Sequence, residues 1–161
     1  MMKPIKYFLV FFSLTLCACG LLRPATHIQN EDLTKYKYVY IPYRANVTSA
    51  TGTFYHGTGG VTNKSINPGD LIAGHFIKHG YAILPELNSS LLSETLIVNY
   101  GESGRRKIML GLVNPIEMTI QLLSAATNQV VYSVTAEGIG ETASDDVRNA
   151  INSCLQNLPL K

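Results

Sequence analysis

The sequence predicts an α+β fold, a single mixed or antiparallel twisted sheet with two helices packed on it. Three observations predict it. Short runs rich in Tyr and β-branched residues recur between turn residues. Two longer stretches, from Pro68 and from Thr142, carry apolar residues at helical spacing and begin at capping residues. The order of these pieces is strand, long insertion, helix, strand, strand, hairpin, strand, helix, which suits one sheet covered by helices. Trp is absent, Tyr occurs nine times and only 15% of residues are charged, a balance that fits a β-containing domain better than a helical bundle.

The first residues stand apart from this domain. Lys3 and Lys6 precede an apolar run from Tyr7 to Leu16, which closes on Leu16-Cys17-Ala18-Cys19. A bilayer span takes about 20 apolar residues, so this run is too short for one. The layout is that of a secretory signal peptide, and its end resembles the bacterial lipobox, Leu-x-Ala-Cys. The resemblance implies cleavage after residue 18 and acylation of Cys19, with palmitate among the chains. Two or more acyl chains make membrane residence stable. Residues 1–18 are thus expected to be a signal, 19–34 a tether, and 35–161 one α+β domain with a Gly/Thr-rich insertion at 44–70.

Without residues 1–18 the chain keeps 11 Lys+Arg against 11 Asp+Glu, a formal charge of zero. That balance gives no electrostatic case for nucleic acid. Arg105-Arg106-Lys107 is a basic cluster beside Gly101 and Gly104, read as a solvated hairpin tip, with contact to an anionic partner or a lipid headgroup as the alternative.

Taken in order, Tyr36 to Tyr43 is the first strand, with Tyr36, Tyr38 and Tyr40 on one face and Val39 and Ile41 on the core side. The Tyr side is covered by a helix or left as an aromatic binding surface. Residues 44–70 form either a hairpin around Thr53 to His56 or a mobile flap. Their aromatic residues, Phe54 and Tyr55, are the expected partner anchors. Asn67 caps a helix with Pro68 in its first turn and Gly80 at its end. Tyr81 to Leu84 and Thr95 to Tyr100 are strands, with a helical turn between them. After a turn at residues 101–104, Lys107 to Val113 returns as another strand. Ile116 to Leu123 alternates, Asn128 turns, and Val130 to Ala136 is the last strand. The final helix has Ser144 as its cap, Asp145 and Asp146 in its first turn, and a stripe of Val147, Ala150, Ile151, Cys154, Leu155 and Leu158.

No catalytic constellation, metal site or cofactor motif is read in the chain. Gly57, Gly59 and Gly60 lack P-loop spacing. His75 and His79 share a helix face but have no carboxylate or Cys attached to complete a metal site. Cys17 leaves with the signal and Cys19 takes lipid, so Cys154 remains as a buried thiol without a disulfide partner.

The late part of the chain resembles a pattern of envelope lipoproteins. Gln121-Leu122-Leu123-Ser124-Ala125 enters a turn at Thr127-Asn128-Gln129, and Val130-Val131-Tyr132-Ser133 leaves it. Glu137-Gly138-x-Gly140 follows, then Asp146 and a helix containing Ala150-Ile151. This run is similar to one in the curli-secretion lipoproteins. The penicillin-binding-protein activator lipoproteins and the amino-terminal domain of the Tol-Pal propeller protein share the general architecture. Small lipoproteins of Gram-negative envelopes that carry this sheet alone are the nearest type. Asn128 stands where that pattern has Gly, and Ala125 where it has Asp. The resemblance implies an envelope address, with the lipid-anchored domain facing the periplasm from the outer membrane, and carries no functional residue across.

The expected function is non-enzymatic: binding or assembly of another envelope component, a protein or a polymer, by a membrane-anchored domain. The alternative is an enzyme acting on an envelope polymer through carboxylates, with Glu86, Glu94 and Glu137 meeting in space.

Overall fold

A computed structural model describes residues 22–43, 46–55 and 58–160, with the backbone alone for 50–55 and 58–62. Residues 1–18, read as a signal, and Cys19 lie outside the described residues. The main sheet has six strands: β1 (Thr26–Gln29), β2 (Tyr38–Tyr40), β5 (Ala82–Leu84), β6 (Thr95–Arg105), β7 (Ile116–Ser124) and β8 (Val130–Gly138). Their spatial order is β1-β8-β7-β6-β2-β5. β6, β7 and β8 form an antiparallel meander, β1 pairs antiparallel with β8, and β2 lies parallel to both β5 and β6. The sheet is therefore mixed, and its two edges are short strands, which limits edge-to-edge pairing.

β3 (Val47–Tyr55) and β4 (Thr58–Ile66) make a second, two-stranded antiparallel sheet. The insertion is thus a hairpin, one of the two forms its sequence allowed. Helices α1 (Pro68–Lys78) and α2 (Ala143–Gln156) complete the fold. The Asn67 side chain accepts from the Gly69 N–H at 2.9 Å, and Gly80 follows α1 at φ 80°, as its cap and stop signals require.

The core lies between the meander and the helices. β7 presents Ile116, Met118, Ile120 and Leu122 inward, all buried, and β8 adds Val134 and Ala136. The α2 stripe read from the sequence packs on them. Cys154 sits at its centre, fully buried, with its Sγ 3.3 Å from the Met118 carbonyl oxygen. Burial pushes its thiol up to about 12. Beneath α1, Phe76 meets Tyr81 edge to face at 5.3 Å, over buried Val39 and Leu96.

Gly138 explains part of the Glu137-Gly138-x-Gly140 run. A Cβ there would stand 2.2 Å from the Ala150 nitrogen and 2.4 Å from the Asp146 oxygen. The backbone of α2 thus rests on the end of β8, and only Gly allows that approach.

Four expectations are corrected. Residues 26–34, read as tether, hold β1 and run into a 3-10 turn at Leu33–Lys35, with Leu33 buried; β8 would otherwise end the sheet, and β1 pairs with it. Lys107 to Val113 is not a strand. β6 runs on to Arg105 through a bulge near Glu102, and residues 108–113 close on themselves, Ile108 bridging to Val113. Thr142, not Ser144, caps α2, accepting from the Asp145 N–H at 3.2 Å. Tyr36 does not share a face with Tyr38 and Tyr40, because it precedes β2 and ends the 3-10 turn, where it is fully buried.

Gly138→Ala is expected to destabilise the protein by about 3 kcal/mol, because the clash is with backbone that cannot move aside. Denaturant unfolding of the variant checks this.

Candidate functional site

The sheet alternates, and that alternation makes the site. Both helices pack on one face. On the other face β7 presents Glu117, Thr119, Gln121 and Leu123, each half-buried between the buried positions. Register then places chemistry in rows. Asn99 stands opposite Gln121, and Gln121 opposite Ser133. One row along, Gly101 faces Thr119, Thr119 faces Thr135, and Thr135 faces Thr26. The Thr119 and Thr135 hydroxyls are hydrogen-bonded at 2.8 Å. Neighbours across strands lie about 5 Å apart, so these rows set amides and hydroxyls side by side across the strands. Asn99, Gly101, Glu102, Ser103, Thr119 and Gln121 line a shallow groove of about 440 Å³ on it.

Tyr38 and Tyr40 extend this face. They pair with Thr95 and Ile97, next to the groove strand, and both are half-exposed. Two of the three expected Tyr residues therefore share an open surface. The third, Tyr36, is buried and donates its hydroxyl to Glu31 at 3.1 Å. Phe54 and Tyr55 belong to the separate hairpin, with backbone partners Gly59 and Thr58.

The hairpin is fastened at its base. Ser144, in the first turn of α2, is buried; its hydroxyl lies 2.7 Å from the Ser49 hydroxyl and 3.0 Å from the Lys64 carbonyl oxygen. The Lys64 ammonium also reaches Asp145 at 3.0 Å. The α2 start, read as helix chemistry alone, is also the dock for the insertion.

At one end of the open face stands Glu137, whose side chain is only 4% exposed. Arg106 grips it in a fork, Nε donating to one carboxylate oxygen and Nη2 to the other, each at 2.6 Å. The backbone N–H of Arg23 donates to the same carboxylate at 2.8 Å. The Arg106 guanidinium, more than burial opposes it, holds the Glu137 carboxyl down at about 2. Arg106, expected as part of a solvated tip, is instead a structural partner.

Glu94 and Glu137, two of the carboxylates named for the enzymatic alternative, do not meet. Glu94 precedes β6 and pairs with Lys37 at 2.8 Å. Glu137 lies beside the far end of that 11-residue strand, roughly 30 Å away at the rise of a strand. The rings of His75 on α1 and His79 at its C-cap lie 4.5 Å apart, tilted by 34°. Burial, then the neighbouring His79 and Lys78, push His75 down. Among the described residues no three His, Cys, Asp or Glu side chains gather into a metal-ligating group.

Sequence reasoning missed Asn99, Gln121 and the Arg106–Glu137 pair. The alternation of Ile116 to Leu123 carried the signal for Thr119 and Gln121, since both fall on its off-core phase. The ion pair joins residues 31 apart and left no local signal.

Among solved structures, the chain is similar to the PelC dodecamer from Paraburkholderia phytofirmans, at 14% identity and a TM-score of 0.48, over 83% of this chain and 95% of that one. A point variant of the same dodecamer in another crystal form is similar at 14% identity and a TM-score of 0.43, over 82% and 95%. A likeness of that size carries neither residue roles nor activity across. No protein-family model matches the chain, and no curated protein matches it. The resemblance to curli-secretion lipoproteins thus rests on the turn and helix pattern alone.

Glu137 sets a pH dependence. Its carboxyl titrates lower in the folded chain, at about 2, than its ordinary value of 4.5. The stabilisation it gives is therefore complete above about pH 4.5 and is lost as pH falls towards 2. Glu137→Gln should lower stability at pH 7 by about 1.5–3 kcal/mol and flatten the loss between pH 4.5 and 2. Urea unfolding of both proteins across that window is the check; equal slopes would contradict it.

Proposed function

We propose that this protein is an envelope lipoprotein, anchored by Cys19, that acts as a non-enzymatic binding or assembly factor for another envelope component. The open sheet face is its contact surface. The observation that carries this reading is the row arrangement of Asn99, Gln121, Ser133, Thr119 and Thr135, flanked by Tyr38 and Tyr40. Its amides and hydroxyls offer both donors and acceptors, and its rings offer flat apolar area. A polar, uncharged chain laid across the strands would find hydrogen-bonding groups along its length, so an envelope polymer suits this face better than a charged partner does. The signal-like start and the Leu-x-Ala-Cys sequence support the address. The distance between Glu94 and Glu137 weighs against a paired-carboxylate enzyme.

Two measurements test the proposal. Metabolic labelling with a fatty acid should mark the chain, and Cys19→Ala should abolish the label. Asn99→Ala combined with Gln121→Ala should lower capture of the envelope component about tenfold, the loss expected for one or two hydrogen bonds. The same double variant should keep its stability within about 1 kcal/mol, since both side chains are off the core. Label on the Cys19→Ala chain, or unchanged capture by the double variant, would overturn the respective half of the reading.

A further inference from the structure

The loop between β6 and β7 breaks two rules at once. Met109, Leu110 and Leu112 are 60%, 106% and 82% exposed, in a stretch that reads Ile108-Met109-Leu110-Gly111-Leu112-Val113. Met109, Leu110 and Gly111 also take left-handed backbone, at φ 49°, 57° and 88°. Such a conformation is unfavourable for Met and Leu. The loop is nevertheless closed in register: Ile108 N–H donates to the Val113 carbonyl at 2.9 Å, and Val113 N–H returns to Ile108 at 3.3 Å. Three large apolar side chains are thus held out in water on a pinned backbone. Clustered exposure of this kind marks a surface that meets an apolar environment.

The position of the loop decides which environment. Arg106, one residue before Lys107 and two before Ile108, is forked onto Glu137, and the Arg23 N–H is bonded to that same carboxylate. The chain therefore enters the domain at the end of the sheet that carries the apolar loop. Cys19 lies four residues ahead of Arg23, a reach of at most about 14 Å. Exposed Lys107 flanks the apolar tip, where anionic headgroups would meet it.

We propose that residues 109–112 are a second membrane contact, inserting into the lipid surface beside the acylated Cys19. The proposal rests on the lipid-anchor half of the function proposed above. One anchor alone leaves a domain free to tilt. An apolar loop beside it fixes the strands upright on the bilayer, with the open face turned sideways along the membrane.

The chain has no Trp, so a single introduced indole reports its own surroundings. The acylated full chain carrying Leu112→Trp is reconstituted into phosphatidylethanolamine–phosphatidylglycerol vesicles with brominated acyl chains. Ala126→Trp, at the exposed turn on the opposite end of β7, is the control. Leu112→Trp should show blue-shifted emission and quenching about twofold stronger than the control, as for a ring about 5–10 Å into the acyl boundary. Adding Leu110→Asp should return its emission towards that of the control. Flotation of the vesicles reads the anchor separately. If the chain floats and Leu112→Trp behaves like Ala126→Trp, the loop contact is wrong and the anchor stands. Blue-shifted emission without bromine quenching means that protein, such as a second copy, covers the loop, and also overturns the proposal. A chain that does not float removes the anchor and this inference with it.

Discussion

A carboxylate taken out of water must be paired, and Glu137 is paired three ways. Three hydrogen bonds reach it from two residues remote in sequence, two from Arg106 after β6 and one from the Arg23 backbone ahead of β1. A buried charge missing any of these partners would be costly. The ends of β6 and β8 and the entry of the chain are therefore fixed relative to one another. The membrane-facing role proposed for this end, and the orientation of the open face that follows from it, depend on that one node.

Next to it the fold uses the absence of a side chain in the same way. Gly138 lets α2 rest on the end of β8, and the first turn of α2 then presents Ser144 and Asp145 to the hairpin. Glu137, Gly138 and Ser144 thus link the open face, the core and the insertion within a few residues. Glu137 and Gly138, adjacent in a run that resembles a lipoprotein motif, each have a separate physical reason in this chain.

The sequence made the fold class legible because the meander and both helices are locally coded. Period-2 alternation in Ile116 to Leu123 and the caps around Pro68 act between near neighbours, so one chain suffices to read them. What depended on contact at a distance was not legible. Lys107 to Val113 has strand-like composition, but the left-handed turn at Met109 and Leu110 overrides it. Ser144 looked like a cap because its partners, Ser49 and Lys64, are 95 and 80 residues away. Of the site, Tyr38 and Tyr40 were found by alternation. Tyr36 failed because alternation holds only inside a strand, and it lies before β2. The rows joining Asn99 to Gln121 and Ser133 needed the register, which no single sequence contains.

The most direct test of the account is amide hydrogen exchange at the Glu137 node. In the native protein the Arg23 and Arg106 amides should be protected, Arg23 by the carboxylate and Arg106 by the Pro115 carbonyl at 3.4 Å. In Glu137→Gln both should exchange markedly faster together, while Ile120 and Val134 in the core keep their protection under strongly stabilising conditions. Unchanged protection at Arg23 and Arg106 in that variant would contradict the claim that one carboxylate holds this end of the fold.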